Sequence, residues 1–239
     1  MNKLDILVLA AHPDDAELGC SGTIVHHIRQ GKKVGIIDLT QGELGTRGSA
    51  ELRMEEAAEA AKILGVHARE NLYLRDGRFQ NNEADQLEII RVIRKYQPEI
   101  VITNAPVDRH PDHGRAANLV SDACFYSGLI RIESTFGDKP QHAWRPKAIY
   151  HFVQSQSLAV DYVVNITPYW ETKLASIRAY RSQFHDPNSK EPETYISSEN
   201  FMRMVEARAI EHGHIIGAKY GEGFIRSRIA GINSFFDLI

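Results

Sequence analysis

The sequence predicts an α/β protein with a Rossmann-like, doubly wound and mainly parallel sheet that carries helices on both faces. Apolar runs of strand length alternate with segments of helical periodicity along the first half of the chain. Such alternation implies right-handed crossovers and a parallel sheet. We expect the 239 residues to form one α/β domain. In it, residues 1–128 form the Rossmann-like core, and residues 129–239 add strands, a lid loop and C-terminal helices that cap the sheet.

Four strands are predicted in the first half, each from a short and mainly apolar run. The first run, LDILVLA, is typical of a strand that is buried on both faces of a parallel sheet. The predicted strands are Leu4–Ala10, Val34–Leu39, Asn71–Leu74 and Glu99–Thr103.

Helices are predicted between these strands. Ala16–Gln30 has helix-compatible spacing, and Ala50–Leu64 is a strongly helical stretch that follows a glycine-rich loop over Thr40–Ser49. Asn82 is a suitable N-cap for a third helix, whose apolar residues keep helical spacing until Pro98.

The second half has weaker patterns. Ala148–Val153 and Tyr162–Ile166 resemble further strands, and Pro168–Arg181 and Ser198–Ile216 resemble helices. Ser182–Ile196 is rich in proline, asparagine, serine and charge. A polar connection of this length is either a functional lid or a mobile surface loop.

Composition excludes several classes of function. With 28 Lys and Arg against 31 Asp and Glu, the net charge is −3, which leaves no basic excess for a nucleic-acid backbone. The longest apolar run near the start is too short for a membrane span and lacks a signal peptide's cleavage region. Two cysteines, Cys20 and Cys124, cannot form a disulfide framework, so we expect a cytoplasmic protein.

Two short motifs carry the chemistry. HPDD at residues 12–15 follows the first predicted strand, and RHPDHG at residues 109–114 follows the fourth. In a doubly wound sheet of order 3-2-1-4, these two strands are neighbours, and ligands bind in the crevice at their carboxyl ends. We therefore expect the two motifs to meet.

His12, Asp15 and His113 are the expected metal ligands. Two imidazoles and a carboxylate suit a catalytic zinc with one open position, and the same set suits ferrous iron. Each motif alone is better explained by helix capping or polar loop residues, but their occurrence at adjacent strand ends favours a metal site.

The remaining polar residues of the motifs suggest acid–base roles. Asp14 is the natural general base for water activated by the metal, although spacing alone leaves the roles of Asp14 and Asp15 interchangeable. His110, as an imidazolium kept charged by Asp112, is expected to stabilise an oxyanion.

These motifs, AHPDD and RHPDHG, together with GELGTRG at residues 42–48, resemble those of the LmbE-like zinc-dependent N-deacetylases. Within that family the chain is most similar to the deacetylases of bacillithiol biosynthesis. The resemblance implies removal of acetyl from N-acetylglucosaminyl malate, with release of acetate and a free amine. It also implies a homo-oligomer, for which a hexamer is one expectation. By the same resemblance, the zinc ligands are His12, Asp15 and His113. Asp14 is then the general base, and His110 stabilises the oxyanion.

Arginines are the expected ligands of the two malate carboxylates, because a planar guanidinium binds carboxylate through two hydrogen bonds. Arg53 and Arg109 are the candidates, although Arg53 taken alone is better explained as a surface helix residue paired with Glu56 or Glu55. Tyr195, in the polar connection, is a candidate closing residue; Arg47 has weaker support.

Other functions remain open at this stage. A dinucleotide-binding oxidoreductase lacks its G-x-G-x-x-G motif after the first strand. A phosphoesterase would show two metals and more acidic ligands. Deacetylation of an inositol conjugate or a chitooligosaccharide, or sugar binding without catalysis, fits the same residues.

Overall fold

The computed structural model describes residues 3–238 and contains nine strands and six α-helices within that range. The strands are β1 (Ile6–Ala10), β2 (Val34–Thr40), β3 (Ala68–Leu74), β4 (Ile100–Asn104), β5 (Thr135–Phe136), β6 (Lys139–Pro140), β7 (Ala148–Phe152), β8 (Tyr162–Asn165) and β9 (Gly221–Arg226). The helices are α1 (Asp15–Arg29), α2 (Ala50–Leu64), α3 (Glu83–Tyr96), α4 (Pro111–Tyr126), α5 (Trp170–Arg178) and α6 (Phe201–Ile215).

Seven of the strands form one sheet in the order β3-β2-β1-β4-β7-β9-β8. The first five run parallel, and β9 pairs antiparallel with both β7 and β8. The α/β class and the order 3-2-1-4 predicted from the sequence are therefore confirmed. The order reverses between β1 and β4, which places a crevice at their carboxyl ends.

Alternate residues of β1 pack on opposite faces of the sheet. Leu7 and Leu9 contact the apolar cluster that includes residues of α3 and α4, whereas Ile6 and Val8 contact the cluster that includes residues of α1. Because successive strand side chains point to opposite faces, a strand covered on both sides must be apolar at nearly every position. This explains why β1 could be predicted from the sequence.

Several elements differ from the predictions. β3 begins three residues earlier than predicted, and the expected helix over 168–181 is a 3₁₀ turn at Thr167–Tyr169 followed by α5. Neither β9 nor α4 was predicted. β9 contains two glycines and two charges in six residues, so its strand conformation depends on pairing with β7 and β8.

Within residues 3–238, every helix is too short or too polar to cross a lipid bilayer.

Arg94, on α3, holds the chain that follows α4. The residue is 2% exposed, and its guanidinium donates to the carbonyl oxygens of Ser127 (3.0 Å), Leu129 (2.9 Å) and Ile132 (2.7 Å). A fourth hydrogen bond reaches Ser134 Oγ at 2.8 Å. The bonds to Ser127 O and Ser134 Oγ are buried, and a buried acceptor needs such a donor because an unsatisfied one costs free energy.

We predict that Arg94→Met lowers the free energy of unfolding by about 3 kcal/mol, because four acceptors, two of them in buried hydrogen bonds, lose the donors of Arg94. Chemical denaturation followed by circular dichroism measures the change. Arg91→Met is the matched control on the same helix, since the Arg91 side chain is partly exposed and, among residues 3–238, pairs with Glu88 alone. That variant should lose less than about 1 kcal/mol. Equal losses in the two variants would contradict this role for Arg94.

Candidate metal centre

The two motifs meet at the carboxyl ends of β1 and β4. The ring centroids of His12 and His113 lie 5.7 Å apart, and one nitrogen from each of His12, His110 and His113 lies within 4.8 Å of the others. All three imidazoles are therefore close enough to share one ion or one ligand.

The carboxylate of Asp15 lies between two of these histidines. Its Oδ2 is 3.4 Å from His12 Nδ1, and its Oδ1 is 3.2 Å from His113 Nε2. Backbone and amide groups orient it: the His12 amide and Asn104 Nδ2 donate to Oδ2, and Gln154 Nε2 donates to Oδ1 at 2.7 Å. Asp15 is thus buried and held in one orientation by three elements of the sheet.

The opposite nitrogen of each histidine contacts a further carboxylate. Asp108 Oδ2 lies 2.6 Å from His113 Nδ1, while His12 Nε2 lies 3.0 Å from Asp76 Oδ1 and 3.3 Å from Asp112 Oδ2. Metal-binding imidazoles characteristically donate their second N–H to a carboxylate in this way, which fixes the tautomer. The arrangement leaves His12 Nδ1 and His113 Nε2 directed at Asp15.

The charges of this cluster fit a divalent cation. Burial alone would lower the pKa of His113, but Asp15 and Asp108 raise it to about 9. Burial likewise opposes protonation of His12, yet hydrogen bonds to Asp112, Asp15 and Asp76 raise its pKa well above the usual value. The carboxylates therefore favour positive charge at this site. A metal ion bound by two imidazole nitrogens and a carboxylate oxygen would supply that charge as well as protonated histidines do. His12, Asp15 and His113 would hold it.

Asp14 lies at the N-cap position of α1, but its side chain does not cap the helix. It is the residue before α1, yet its side chain makes no capping hydrogen bond, and its φ of 105° lies in the left-handed region. Its buried carboxylate instead accepts a 2.6 Å hydrogen bond from Arg53 Nη2. Burial raises the pKa of Asp14 to about 6, against the opposing effect of Arg53. Backbone strain at a buried carboxylate that caps nothing is typical of a functional residue.

The pairing of Asp112 with His110 predicted from the sequence is wrong. The Asp112 carboxylate faces His12, the Gly77 amide (2.8 Å) and Arg115, while its backbone amide donates to His110 Nδ1 at 3.2 Å. His110 is the N-cap of α4, so the two side chains leave the helix start in different directions.

The state of His110 also differs from the predicted imidazolium. Because Nδ1 accepts a hydrogen bond, the ring proton lies on Nε2. Burial and the neighbouring His12 and His113 lower the pKa of His110. His110 is therefore a neutral donor through Nε2.

A cavity of about 410 Å³ opens onto these residues, a size suited to a small molecule. Its floor contains Asp14, Asp15 and the three histidines, and its wall contains Leu44–Arg47 of the glycine-rich loop. Thr194, Tyr195 and Ile196 from the polar connection complete the opposite wall. The polar connection thus contributes to the cavity.

The predicted substrate residues occupy different positions. Arg53 is 7% exposed and engaged by Asp14, so the expectation of a surface ion pair with a neighbouring glutamate is wrong. Arg109 is exposed at the cavity, with its guanidinium 4.1 Å from the centroid of the Tyr195 ring. Arg47 is buried and donates to Ser182 O and Ser189 Oγ, which joins the glycine-rich loop to the polar connection.

Sequence reasoning missed four residues that support the site: Asn104, Asp108, Gln154 and Asp76. Each lies at or just after the carboxyl end of a strand that the sequence did predict. Asp76 also accepts from the Leu44 amide at 3.0 Å and so ties the glycine-rich loop to His12. A search for polar residues beyond every predicted parallel strand could have found them.

The chain is similar to several known proteins. Residues 7–124 match the family model described as PIG-L, GlcNAc-PI de-N-acetylase. The diacetylchitobiose deacetylase of Thermococcus kodakarensis is 30% identical over 231 residues, which cover 91% of this chain and 81% of that protein. The 4-oxalmesaconate hydratase of Pseudomonas putida is 27% identical over 195 residues, 75% of this chain and 74% of that protein.

Among solved structures, a conserved protein of Thermus thermophilus superposes with a TM-score of 0.84 at 31% identity. The match covers 96% of this chain and 98% of that one. The similarity therefore extends to the C-terminal half, beyond the residues that the family model covers.

We predict that His113→Gln weakens Zn²⁺ binding by at least about 100-fold, because one of three ligands is lost. Competition with a chromophoric chelator measures the affinity. His151→Gln is the control: His151 is also buried but bonds Asn104 O and Ser227 Oγ. Unchanged affinity in His113→Gln would remove His113 from the ligand set.

Proposed function

Because the chain belongs to the PIG-L, or LmbE-like, family of deacetylases, we propose that it is a zinc-dependent N-deacetylase of an N-acetylglucosaminyl conjugate that releases acetate and a free amine. The relative named as a hydratase means that family membership alone does not specify the reaction. The main observation in support of hydrolysis is Asp14, whose buried carboxylate does not cap α1 and lies beside the candidate ligands.

A divalent cation bound by His12, Asp15 and His113 supplies a Lewis acid that polarises the amide carbonyl and lowers the pKa of water at the site. The protein's own groups move the protons. Arg53 donates to Asp14 Oδ2, so Asp14 Oδ1 is the oxygen that accepts the proton of the attacking water. Asp14 then delivers this proton to the departing amine nitrogen, which breaks the amide bond.

His110 stabilises the charge that develops on the carbonyl oxygen. Its Nε2–H donates to that oxygen, and the Asp112 amide on Nδ1 holds the ring in the required tautomer. The lowered pKa of His110 keeps the imidazole neutral, so that it does not repel the cation.

The finer proposal concerns the substrate, N-acetylglucosaminyl-L-malate. Arg109 supports it, because its guanidinium makes no hydrogen bond to another described residue and lies at the cavity beside Tyr195. A guanidinium with free donors at the entrance suits a carboxylate on the aglycone. Arg53 pairs with Asp14 and orients it, so we do not assign Arg53 to binding a substrate carboxylate.

We predict that Asp14→Asn lowers kcat by about 10²- to 10⁴-fold, the usual contribution of a general acid–base group. Asn adopts the left-handed backbone readily, so the fold should persist. In the wild type, kcat/KM should fall about tenfold per pH unit below roughly pH 6, as Asp14 becomes protonated and can no longer accept a proton.

Zinc content is the control for this variant, since Asp14 is not a proposed ligand and the metal should remain bound. Steady-state kinetics between pH 5 and about pH 8 supply the profile. Full activity in Asp14→Asn would remove Asp14 from the mechanism.

The substrate is tested by amine release from four compounds: N-acetylglucosamine, its malate conjugate, its inositol conjugate and diacetylchitobiose. We expect the highest kcat/KM for the malate conjugate. Arg109→Gln should reduce that value by about 10- to 100-fold, as expected for loss of a charged hydrogen bond, and leave the uncharged substrates within about twofold. Release of amine from none of the four would overturn the deacetylase proposal, whereas a preference for an uncharged conjugate would overturn only the malate assignment.

A further inference from the structure

Helix α1 is interrupted shortly after the candidate catalytic residues. Cys20 has φ of −149° and ψ of 16°, which are not helical values. The break separates a first turn, residues 15–19, from a second segment, residues 21–29. The first turn begins with Asp15 and follows Asp14 directly, so its direction determines where these two carboxylates lie.

A buried ion pair occupies the break. Lys173 Nζ, from α5, donates to Leu18 O at 2.8 Å and Glu17 O at 3.1 Å, the carbonyls that end the first turn. Glu222, from β9, accepts from the Gly22 amide at 3.0 Å and the Thr23 amide at 2.7 Å, the donors that start the second segment.

The two charged groups are joined to each other. Lys173 Nζ lies 2.7 Å from Glu222 Oε1, and Thr23 Oγ1 adds a 2.6 Å hydrogen bond to Glu222 Oε2. In a regular helix the Gly22 amide would pair with Leu18 O. Here a continuous path runs from Leu18 O through Lys173 and Glu222 to the Gly22 amide, so the ion pair is inserted at the position of one helical hydrogen bond.

The signs of the charges match the helix ends. A cation at the carboxyl end of the first turn and an anion at the amino end of the second segment both oppose the local backbone charge. Both side chains are almost fully buried, at 2% and 4% exposed. Removing either partner would leave a buried charge and unsatisfied backbone groups, which is costly. The pair therefore fixes the relative orientation of the two segments of α1.

We infer that Lys173 and Glu222 are positioning residues for the metal centre. They hold the first turn of α1 at the angle that places Asp14 against Arg53 and Asp15 against His113. This inference rests on the proposed function, because it assumes that Asp15 binds the metal. The inference assigns a role to the C-terminal half of the chain, because α5 and β9 supply Lys173 and Glu222. These two residues act without lining the cavity themselves.

Glu222→Gln and the double variant Lys173→Met/Glu222→Gln test the inference. The double variant removes the pair without leaving a lone buried charge. We expect Zn²⁺ affinity to fall about 10- to 100-fold, as it does when groups that orient metal ligands are lost. The visible spectrum of the Co²⁺-loaded protein should shift, because it reports ligand geometry. kcat should fall more than KM rises.

Arg94→Met is the matched control, because Arg94 is also a buried cation that binds backbone carbonyls but lies on the other face of the sheet. It should lose thermal stability while its Zn²⁺ affinity stays within about twofold and its Co²⁺ spectrum is unchanged. Thr23→Val, which removes only the hydroxyl bond to Glu222, is the milder variant should the others fail to fold, and it should give the same changes at reduced size.

Hydrogen exchange separates the possible failures. Faster exchange of the Gly22 and Thr23 amides in Glu222→Gln, together with weakened metal binding, supports the inference. Variants that bind Zn²⁺ and give the Co²⁺ spectrum of the wild type overturn it and leave the proposed function intact. A wild-type protein that binds neither metal overturns the proposed function itself.

Discussion

Charge compensation in a buried cavity is the constraint on which the rest of this structure depends. The carboxylates of Asp15, Asp76, Asp108 and Asp112 lie within 3.4 Å of His12 or His113, and the buried carboxylate of Asp14 beside them pairs with Arg53. Buried like charges are unfavourable unless each has a partner. Arg53, Arg115 and backbone amides supply some of the compensation, and a divalent cation among His12, Asp15 and His113 supplies the remainder in the proposed enzyme.

The parallel sheet makes this concentration of charge possible. Because β1, β3, β4 and β7 all end at one edge, residues far apart in sequence reach the same cavity without long excursions of the chain. The start of α4, which follows β4, brings the Asp112 amide to the same edge, where it donates to Nδ1 of His110 and sets the tautomer of the ring. One relative of this chain is named as a deacetylase and another as a hydratase, so the scaffold is compatible with more than one reaction.

The division of labour between the two halves of the chain follows from the same geometry. The first half supplies the candidate ligands and acid–base groups, and the second half adds further groups that orient them. Gln154 fixes Asp15 from the end of β7, the polar connection forms a wall of the cavity, and the Lys173–Glu222 pair spans the break in α1. The backbone amides of Ser155 and Gln156 hold Asp108, which orients His113.

The sequence by itself determined the α/β class, the order of the first four strands and the convergence of the two motifs, because these follow from local periodicity and from the connectivity of parallel strands. It could not determine which oxygen meets which nitrogen. Asp112 bonds His12 rather than His110, Arg53 bonds Asp14, β9 forms only by pairing, and α1 breaks where Lys173 and Glu222 enter. These outcomes depend on side chains from distant segments packed together at distances of about 3 Å, a scale that spacing along one chain does not encode.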